Sequence, residues 1–259
     1  MLHRLANALL DAVLPRLCLA CDEVVATPGL CAACWAAMPW TAPPVCDACG
    51  LPFDLEQPGL RLCVACAGSR GQPLRRIRAA LAYEQRSREL ILRFKHADRL
   101  DAAPSFAAWM AAAGGELLDE ADLVAPVPLH WTRLAWRRYN QAALLGRLVT
   151  RRRPALFVPD LLRRRRRTPS QGELGPAARR RNVAGAFAMV RRHADKVAGR
   201  RVLLVDDVLT TGATLDACAR VLSRHGAAAV DALVLMRVTK ATAPRMSGKP
   251  RSAGLASET

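Results

Sequence analysis

Apolar residues follow helical spacing in residues 1–14, where Leu2, Leu5, Leu9 and Val13 share one face and Pro15 ends the run. This predicts a short N-terminal helix over residues 1–16. Residues 17–68 show no sustained period and are punctuated by Pro28, Gly29, Pro43, Pro44, Gly50, Pro58 and Gly59. After a linker at 68–73, regular patterns return. Residues 78–83 read as a strand, 85–97 as a helix through Leu90, Ile91 and Phe94, and 105–113 as a helix closed by Gly114 and Gly115. Residues 122–129 read as a short apolar strand broken by prolines, followed by a helix over about 138–152. Residues 163–181 are basic and poor in core formers, which predicts a mobile loop. The strand 202–205, the helix 214–225 stopped by Gly226, and the strand 228–236 then form a strand-helix-strand unit. Such a unit implies a parallel sheet with a right-handed crossover. The small, polar stretch 239–259 reads as a disordered tail. The pattern thus divides the chain into a helix (1–16), a loop-rich module (17–68), an α/β domain (74–238) and a tail (239–259).

Composition adds direction. A chain of 259 residues that is 51% apolar can bury one good core beside a smaller module. The net charge of +17 is uneven: residues 1–70 hold four Arg and six acids, a net −2, so the remainder carries +19. Whatever binds anions is therefore expected in the second part. Only four of the 39 basic residues are Lys; planar arginine forks suit phosphate, although a proteome rich in arginine would give the same bias. No apolar run approaches the roughly 18–20 residues that span a bilayer. Asp11 interrupts the N-terminal apolar stretch, and no small-residue cleavage site precedes Cys18, so a secretion signal is not expected and the chain reads as cytoplasmic.

Eight of the nine cysteines form four CxxC pairs: Cys18 with Cys21, Cys31 with Cys34, Cys46 with Cys49 and Cys63 with Cys66, separated by 9, 11 and 13 residues. Two thiolates three residues apart on a tight knuckle grip one side of a tetrahedral metal, and a second knuckle completes it. Eight thiolates make two structural zinc sites, most simply from consecutive pairs, with an interleaved pairing open. All positions would be filled by sulfur, leaving none for water or substrate. The competing disulfide framework needs an oxidising compartment. Cys218 stands alone in a helical pattern, as a small hydrophobe would.

The stretch Val202-Leu-Leu-Val-Asp-Asp-Val-Leu-Thr-Thr-Gly-Ala-Thr-Leu215 carries the chemistry. Ligands of parallel sheets bind beyond the carboxyl ends of the strands, and this strand delivers Asp206 and Asp207 to that edge. Acids there accept hydrogen bonds from vicinal hydroxyls. Thr210, Thr211, Gly212, Ala213 and Thr214 turn into a helix whose backbone N–H groups can cradle a phosphate, and Gly212 permits close approach. A ribose carrying a 5-phosphate satisfies both halves. Neither a P-loop nor a dinucleotide fingerprint is present.

The stretch closely resembles the phosphoribosyl pyrophosphate (PRPP) motif of type I phosphoribosyltransferases. Together with the CxxC module, residues 127–141 (VPLHWTRLAWRRYNQ), 167–171 (RTPSQ) and 179–182 (RRRN) with Phe187 resemble the ComF family. Its members join a zinc ribbon, here double, to a phosphoribosyltransferase-like domain and are associated with competence and DNA uptake. Arg138 departs from the family's usual glycine. The resemblance implies an α/β fold with a type I phosphoribosyltransferase-like parallel sheet, Arg133 and Arg137 as diphosphate contacts, and residues 168–171 on a loop closing over the site. It also implies Mg²⁺ accompanying PRPP, and Lys95 at the position of a family basic residue. No base-recognition element stands out; Tyr139 and Phe187 are candidates for stacking. The competing reading is a non-catalytic adaptor in which the ribbon and the runs at 151–153, 163–167 and 179–181 hold single-stranded DNA. The low aromatic content of 5% argues against a stacking groove. Metal analysis of the purified chain is expected to find about two zinc per chain, four thiolates to each; a folded, metal-free chain would refute that.

Overall fold

The computed structural model describes residues 15–53, 61–68, 71–95, 99–130, 139–151, 153–166 and 176–239. The expectations for the helix at 1–14, the tail beyond 239, Arg133, Arg137 and residues 168–171 lie outside them. Two short helices, α1 (Ala32–Ala36) and α2 (Val64–Ala67), belong to the cysteine-rich module. The α/β part runs β1 (Ile77–Ala82), α3 (Gln85–Lys95), α4 (Ala103–Ala113), α5 (Gly115–Glu120), β2 (Leu123–Pro126), α6 (Gln141–Val149) and β3 (Leu156–Phe157). It continues with β4 (Leu162–Arg164), α7 (Pro176–Val183), β5 (Phe187–Met189), α8 (Ala194–Val197), β6 (Arg201–Leu209), α9 (Ala213–Arg224) and β7 (Ala229–Arg237).

Five parallel strands are ordered β1-β7-β6-β2-β3, while β4 and β5 form a separate antiparallel pair. The central strands are apolar almost throughout because both faces of the sheet are covered. Leu203, Val205, Leu233 and Leu235 join Phe94, Phe106, Met110 and Leu145 of α3, α4 and α6 in one core. Val202, Leu204, Ala232 and Val234 join Leu215, Cys218 and Leu222 of α9 in the other. The fold is thus a parallel α/β sheet between helical layers. Among the described residues no helix is long and apolar enough to cross a membrane.

One expectation holds and one changes. The helix expected to close at Gly114 and Gly115 does so, with α4 ending at Ala113 and Gly114 as its C-cap, and the short α5 starts directly after it at Gly115. Gly114 serves close approach, since a Cβ on it would lie 2.7 Å from Leu233 Cδ1. The basic segment 163–181 is not one loop: Arg163 and Arg164 pair with Ala188 and Phe187, and Arg179 to Arg181 lie in α7. Its charge concealed the strand because only the alternate residue, Leu162, faces the core.

The cysteine-rich module seals the β1 edge of the sheet. Trp40 forms an antiparallel bridge with Leu81, and the Thr41 N–H donates to Ala80 O (2.9 Å) while the Ala82 N–H donates to Pro39 O (2.8 Å). Covering an edge in this way removes a template for aggregation. Trp40 packs edge-on against Trp109 of α4 (centroids 5.1 Å apart), and Asp22 accepts from Arg93 and Arg99 (3.0 and 2.8 Å). At the same seam Gly50 has φ +68°, and a Cβ there would collide with the Ile77 carbonyl. Gly50→Ala is expected to lower stability by roughly 1–3 kcal/mol through backbone strain alone. The urea midpoint of the zinc-loaded protein reads this, and an unchanged midpoint would refute the seam.

Candidate functional site

The site grows from an unequal pairing of β6. Its ladder with β2 stops at Pro126 opposite Val205, whereas its ladder with β7 continues to Leu209 opposite Arg237. Asp206 and Asp207 therefore lie within the strand, rather than after it, on a ledge that β2 no longer covers. Successive strand residues point to opposite faces. Asp207 Oδ2 meets Lys95 Nζ, at the end of α3, at 3.1 Å. Asp206 Oδ1 accepts from the Asp207 N–H at 2.9 Å. Burial, reinforced by the Asp207 carboxylate, pushes Asp206 up to about 8, against that hydrogen bond and the charges of Lys95 and Arg164.

Thr210 and Thr211 are exposed at the following turn. Gly212 adopts φ +79° as the N-cap of the 12-residue α9. A side chain is strained in that conformation, so the sequence places glycine where the backbone must bend to start the helix. The N–H groups of Ala213, Thr214 and Leu215 precede the first intrahelical bond, from Asp216 N–H to Gly212 O (2.8 Å). A phosphate fits such a terminus by hydrogen bonding and by the helix dipole.

Asp206, Asp207, Thr210, Gly212, Ala213 and Thr214 line one cavity of about 500 Å³, joined by Lys95, Arg164, Arg179 and Tyr83. Asn140 and Gln141 contribute from the far side. Asn140 caps α6 through the Ala142 N–H (3.0 Å) and donates to Val127 O (3.1 Å), anchoring both ends of the segment that contains Arg133 and Arg137. Arg164 and Arg179 were indistinguishable from their neighbours within a basic run, and Tyr83 carried no signal beyond closing a strand pattern. Neither stacking candidate faces the cavity: the Tyr139 hydroxyl donates to Phe94 O (2.5 Å), and Phe187 is buried beneath Arg164 (5.3 Å from guanidinium to ring centroid). Cys218 is fully buried, and burial raises its thiol well above the ordinary range.

The cysteines gather into two groups, Cys18, Cys21, Cys31 and Cys34, and Cys46, Cys49, Cys63 and Cys66, with the sulfurs of each within 4.8 Å of one another. Consecutive pairing is thus the observed one. The Sγ atoms of Cys21 and Cys31, and of Cys49 and Cys63, are 3.7 Å apart. Four sulfurs at about 2.3 Å from a zinc ion would be separated by about 3.8 Å, whereas a disulfide needs about 2.05 Å. Burial opposes ionisation at Cys18 and Cys46, but backbone N–H donors prevail and hold these thiols at about 6 and about 7. The N–H groups of Cys31 and Cys63 each donate across the cluster, to Cys18 and Cys46 (both 3.3 Å). The donor set fits two structural zinc ions.

Folding with Asp206 ionised is unfavourable, so its raised pKa contributes stability that is full below the ordinary Asp value near 4 and is lost as pH rises through about 8. Asp206→Asn is therefore expected to be more stable than the parent at pH 8–9, by on the order of 1–3 kcal/mol after discounting for partial hydration. The advantage should vanish toward pH 4. Thermal melts across that range check the sign, and a variant less stable at every pH would refute the assignment.

A double zinc ribbon domain model matches residues 9–67, and a phosphoribosyl transferase domain model matches residues 150–251. DNA utilization protein YhgH of Escherichia coli (strain K12) is 31% identical over 231 residues, covering 86% of this chain and 97% of that protein. Competence protein F of Haemophilus influenzae is 37% identical over 106 residues, covering 40% of this chain and 45% of that protein. Among solved structures, an adenine phosphoribosyltransferase from Thermoanaerobacter pseudethanolicus matches at 20% identity and TM-score 0.33, over 57% of this chain and 86% of that one. A hypoxanthine phosphoribosyltransferase from Staphylococcus aureus matches at 15% and 0.32, over 53% and 64%. With the double zinc ribbon joined to a phosphoribosyltransferase domain, and a relative aligned along nearly its whole length, the chain belongs to the ComF family.

Proposed function

We propose that the cavity binds PRPP with Mg²⁺ and that the protein transfers the phosphoribosyl group to a nitrogen acceptor. The observation that carries this reading is the ledge on β6, where two carboxylates precede a left-handed glycine and a helix N-terminus within eight residues of chain, Asp206 to Ala213. Two carboxylates able to accept from hydroxyls and a helix N-terminus able to hold a phosphate, all on one cavity, suit the two ends of a ribose 5-phosphate. Asp206 and Asp207 would accept from the ribose hydroxyls, while Thr210, Thr211, Gly212, Ala213 and Thr214 hold the 5-phosphate. Lys95 already compensates Asp207, so ribose hydroxyls can approach without meeting two bare charges.

In the transfer, the C1–O bond to diphosphate breaks through an oxocarbenium-like transition state as the acceptor nitrogen bonds to C1. Mg²⁺, bound mostly by PRPP oxygens and water, would neutralise the leaving diphosphate. Arg133 and Arg137, between the anchored Val127 and Asn140, are the arginine forks proposed for that anion. Tyr83, on the cavity wall, replaces Tyr139 and Phe187 as the aromatic candidate for the acceptor.

PRPP and Mg²⁺ at 100 times the dissociation constant should add about 2.7 kcal/mol to stability, a rise of roughly 5–10 °C for a chain of this size. Asp207→Asn should remove the shift. Retention of the full shift in that variant would refute the site.

A second reading follows from the opposite side of α9. Arg220 and Arg224 line two neighbouring clefts of about 450 and 280 Å³, shared with Arg75 on one side and Arg180 on the other. Arg75 is already committed to Asp231 and Glu120 (2.6 and 3.0 Å). The names of the two relatives concern DNA utilization and competence, and this arginine face suits a single-stranded nucleic-acid backbone. Affinity for single-stranded DNA should then fall steeply between low and physiological salt, less so in Arg220→Ala/Arg224→Ala. A weak, salt-insensitive response would exclude it.

A further inference from the structure

The carboxyl end of β7 carries a buried arginine that the phosphoribosyl site does not use. Arg237 is 8% exposed, and its Nη1 donates to the carbonyl of Cys49, a member of the second cysteine cluster. Its Nε is buried with no hydrogen-bond partner among the described residues. Such a group costs stability, so general packing is a poor reason to find an arginine here.

The main chain of the same residue is built into the cavity wall. The Tyr83 N–H donates to Arg237 O (2.7 Å), and the Val238 N–H donates to Leu209 O (2.8 Å). Leu209 is paired in register with Arg237. Tyr83, Leu209 and Val238 all line the cavity. Leu209 directly precedes Thr210, and its Cδ1 lies 3.7 Å from the position a Cβ on Gly212 would take. One residue thus touches the cysteine knuckle with its side chain and the base of the phosphate loop with its backbone.

We propose that Arg237 is a positioning residue that makes metal binding at Cys46, Cys49, Cys63 and Cys66 and phosphoribosyl binding at Thr210–Thr214 reciprocal. The inference rests on the PRPP reading above. A metal that fixes the knuckle fixes the Cys49 carbonyl, and with it the Arg237 guanidinium and the end of β7 against which Leu209 is registered. Coupling of this kind acts both ways by thermodynamic necessity: a ligand that orders the loop tightens the metal.

The knuckle has other ties to the sheet that make a control. Arg78 Nη1 donates to Asp47 O (3.0 Å), and the Ile77 N–H donates to Ala48 O (2.7 Å). These lie at the amino end of β1, where Ile77 pairs with Ala232, five residues before Arg237 on β7. Arg78 does not line the cavity.

The test equilibrates the zinc-loaded full chain against a graded chelator, with and without ribose 5-phosphate, and measures retained zinc. Ribose 5-phosphate should raise the affinity for one of the two zinc ions roughly fivefold or more, the lower end of typical couplings. Arg237→Ala should abolish that increase, and Arg237→Lys, which keeps one donor, should restore part of it. Arg78→Ala should hold zinc more weakly yet keep the increase. If ribose 5-phosphate binds by calorimetry and the affinity for both zinc ions is unchanged, the coupling is refuted while the phosphoribosyl reading stands. It is also refuted if Arg237→Ala keeps the full increase. Absence of calorimetric binding would overturn the phosphoribosyl reading and the coupling with it. Should Arg237→Ala not fold, the parent and Arg237→Lys decide.

Discussion

A carboxylate on a parallel strand that outruns its neighbour must be met by a cation, a dipole or water, and the architecture around Asp206 and Asp207 follows from that requirement. The covered sheet supplies the apolar run Val202–Val205 that drives the strand outward. β2 ends early and opens one flank of the strand. Lys95 at the end of α3 then pairs with Asp207, while Asp206, which has no ion pair among the described residues, is pushed toward neutrality by burial. Two adjacent acids would repel each other if both were ionised and dehydrated; opposite strand faces and unequal compensation relieve that conflict. The resulting asymmetry suits a ligand that presents several hydroxyls and carries its charge elsewhere, at the helix N-terminus.

The zinc-ribbon module serves this arrangement from the edge of the sheet. β1 is an outer strand that is followed directly by Tyr83 and leads into the helix bearing Lys95, so its position bears directly on the cavity. The module supplies it with backbone partners from Pro39 to Thr41, an edge-on tryptophan contact with α4 and an ion pair from Asp22 to the helix that follows. Having too little apolar material for a core of its own, the module depends on metal to hold these partners in place. Metal, edge strand and cavity form one mechanical series, and Arg237 is the shortest link in it.

Much of this was legible in the sequence because the signals were strictly periodic or strictly spaced. CxxC pairs announce knuckles, and an unbroken apolar run before two acids announces a buried strand reaching a binding edge. Asp206, Asp207 and the segment Thr210–Thr214 were singled out this way, and all but Thr211 line the same cavity. What stayed hidden depends on long-range pairing. Nothing local shows that β2 ends four residues before β6 does, nor which arginines of 163–181 turn inward. Tyr139 looked available for stacking until the fold placed it against Phe94. Gly114 is the helix stop that the sequence announces, but its close approach to Leu233 has no local signal.

The central claim is that one cavity holds the two ends of a phosphoribosyl group at two parts of a single strand-turn-helix. A crystal structure of the zinc-loaded chain with ribose 5-phosphate tests it most directly. The account predicts the phosphate against the N–H groups that open α9, with the ribose hydroxyls within hydrogen-bonding distance of Asp206 and Asp207. A phosphate bound instead on the arginine face of α9, with the β6 ledge holding only water, would contradict it.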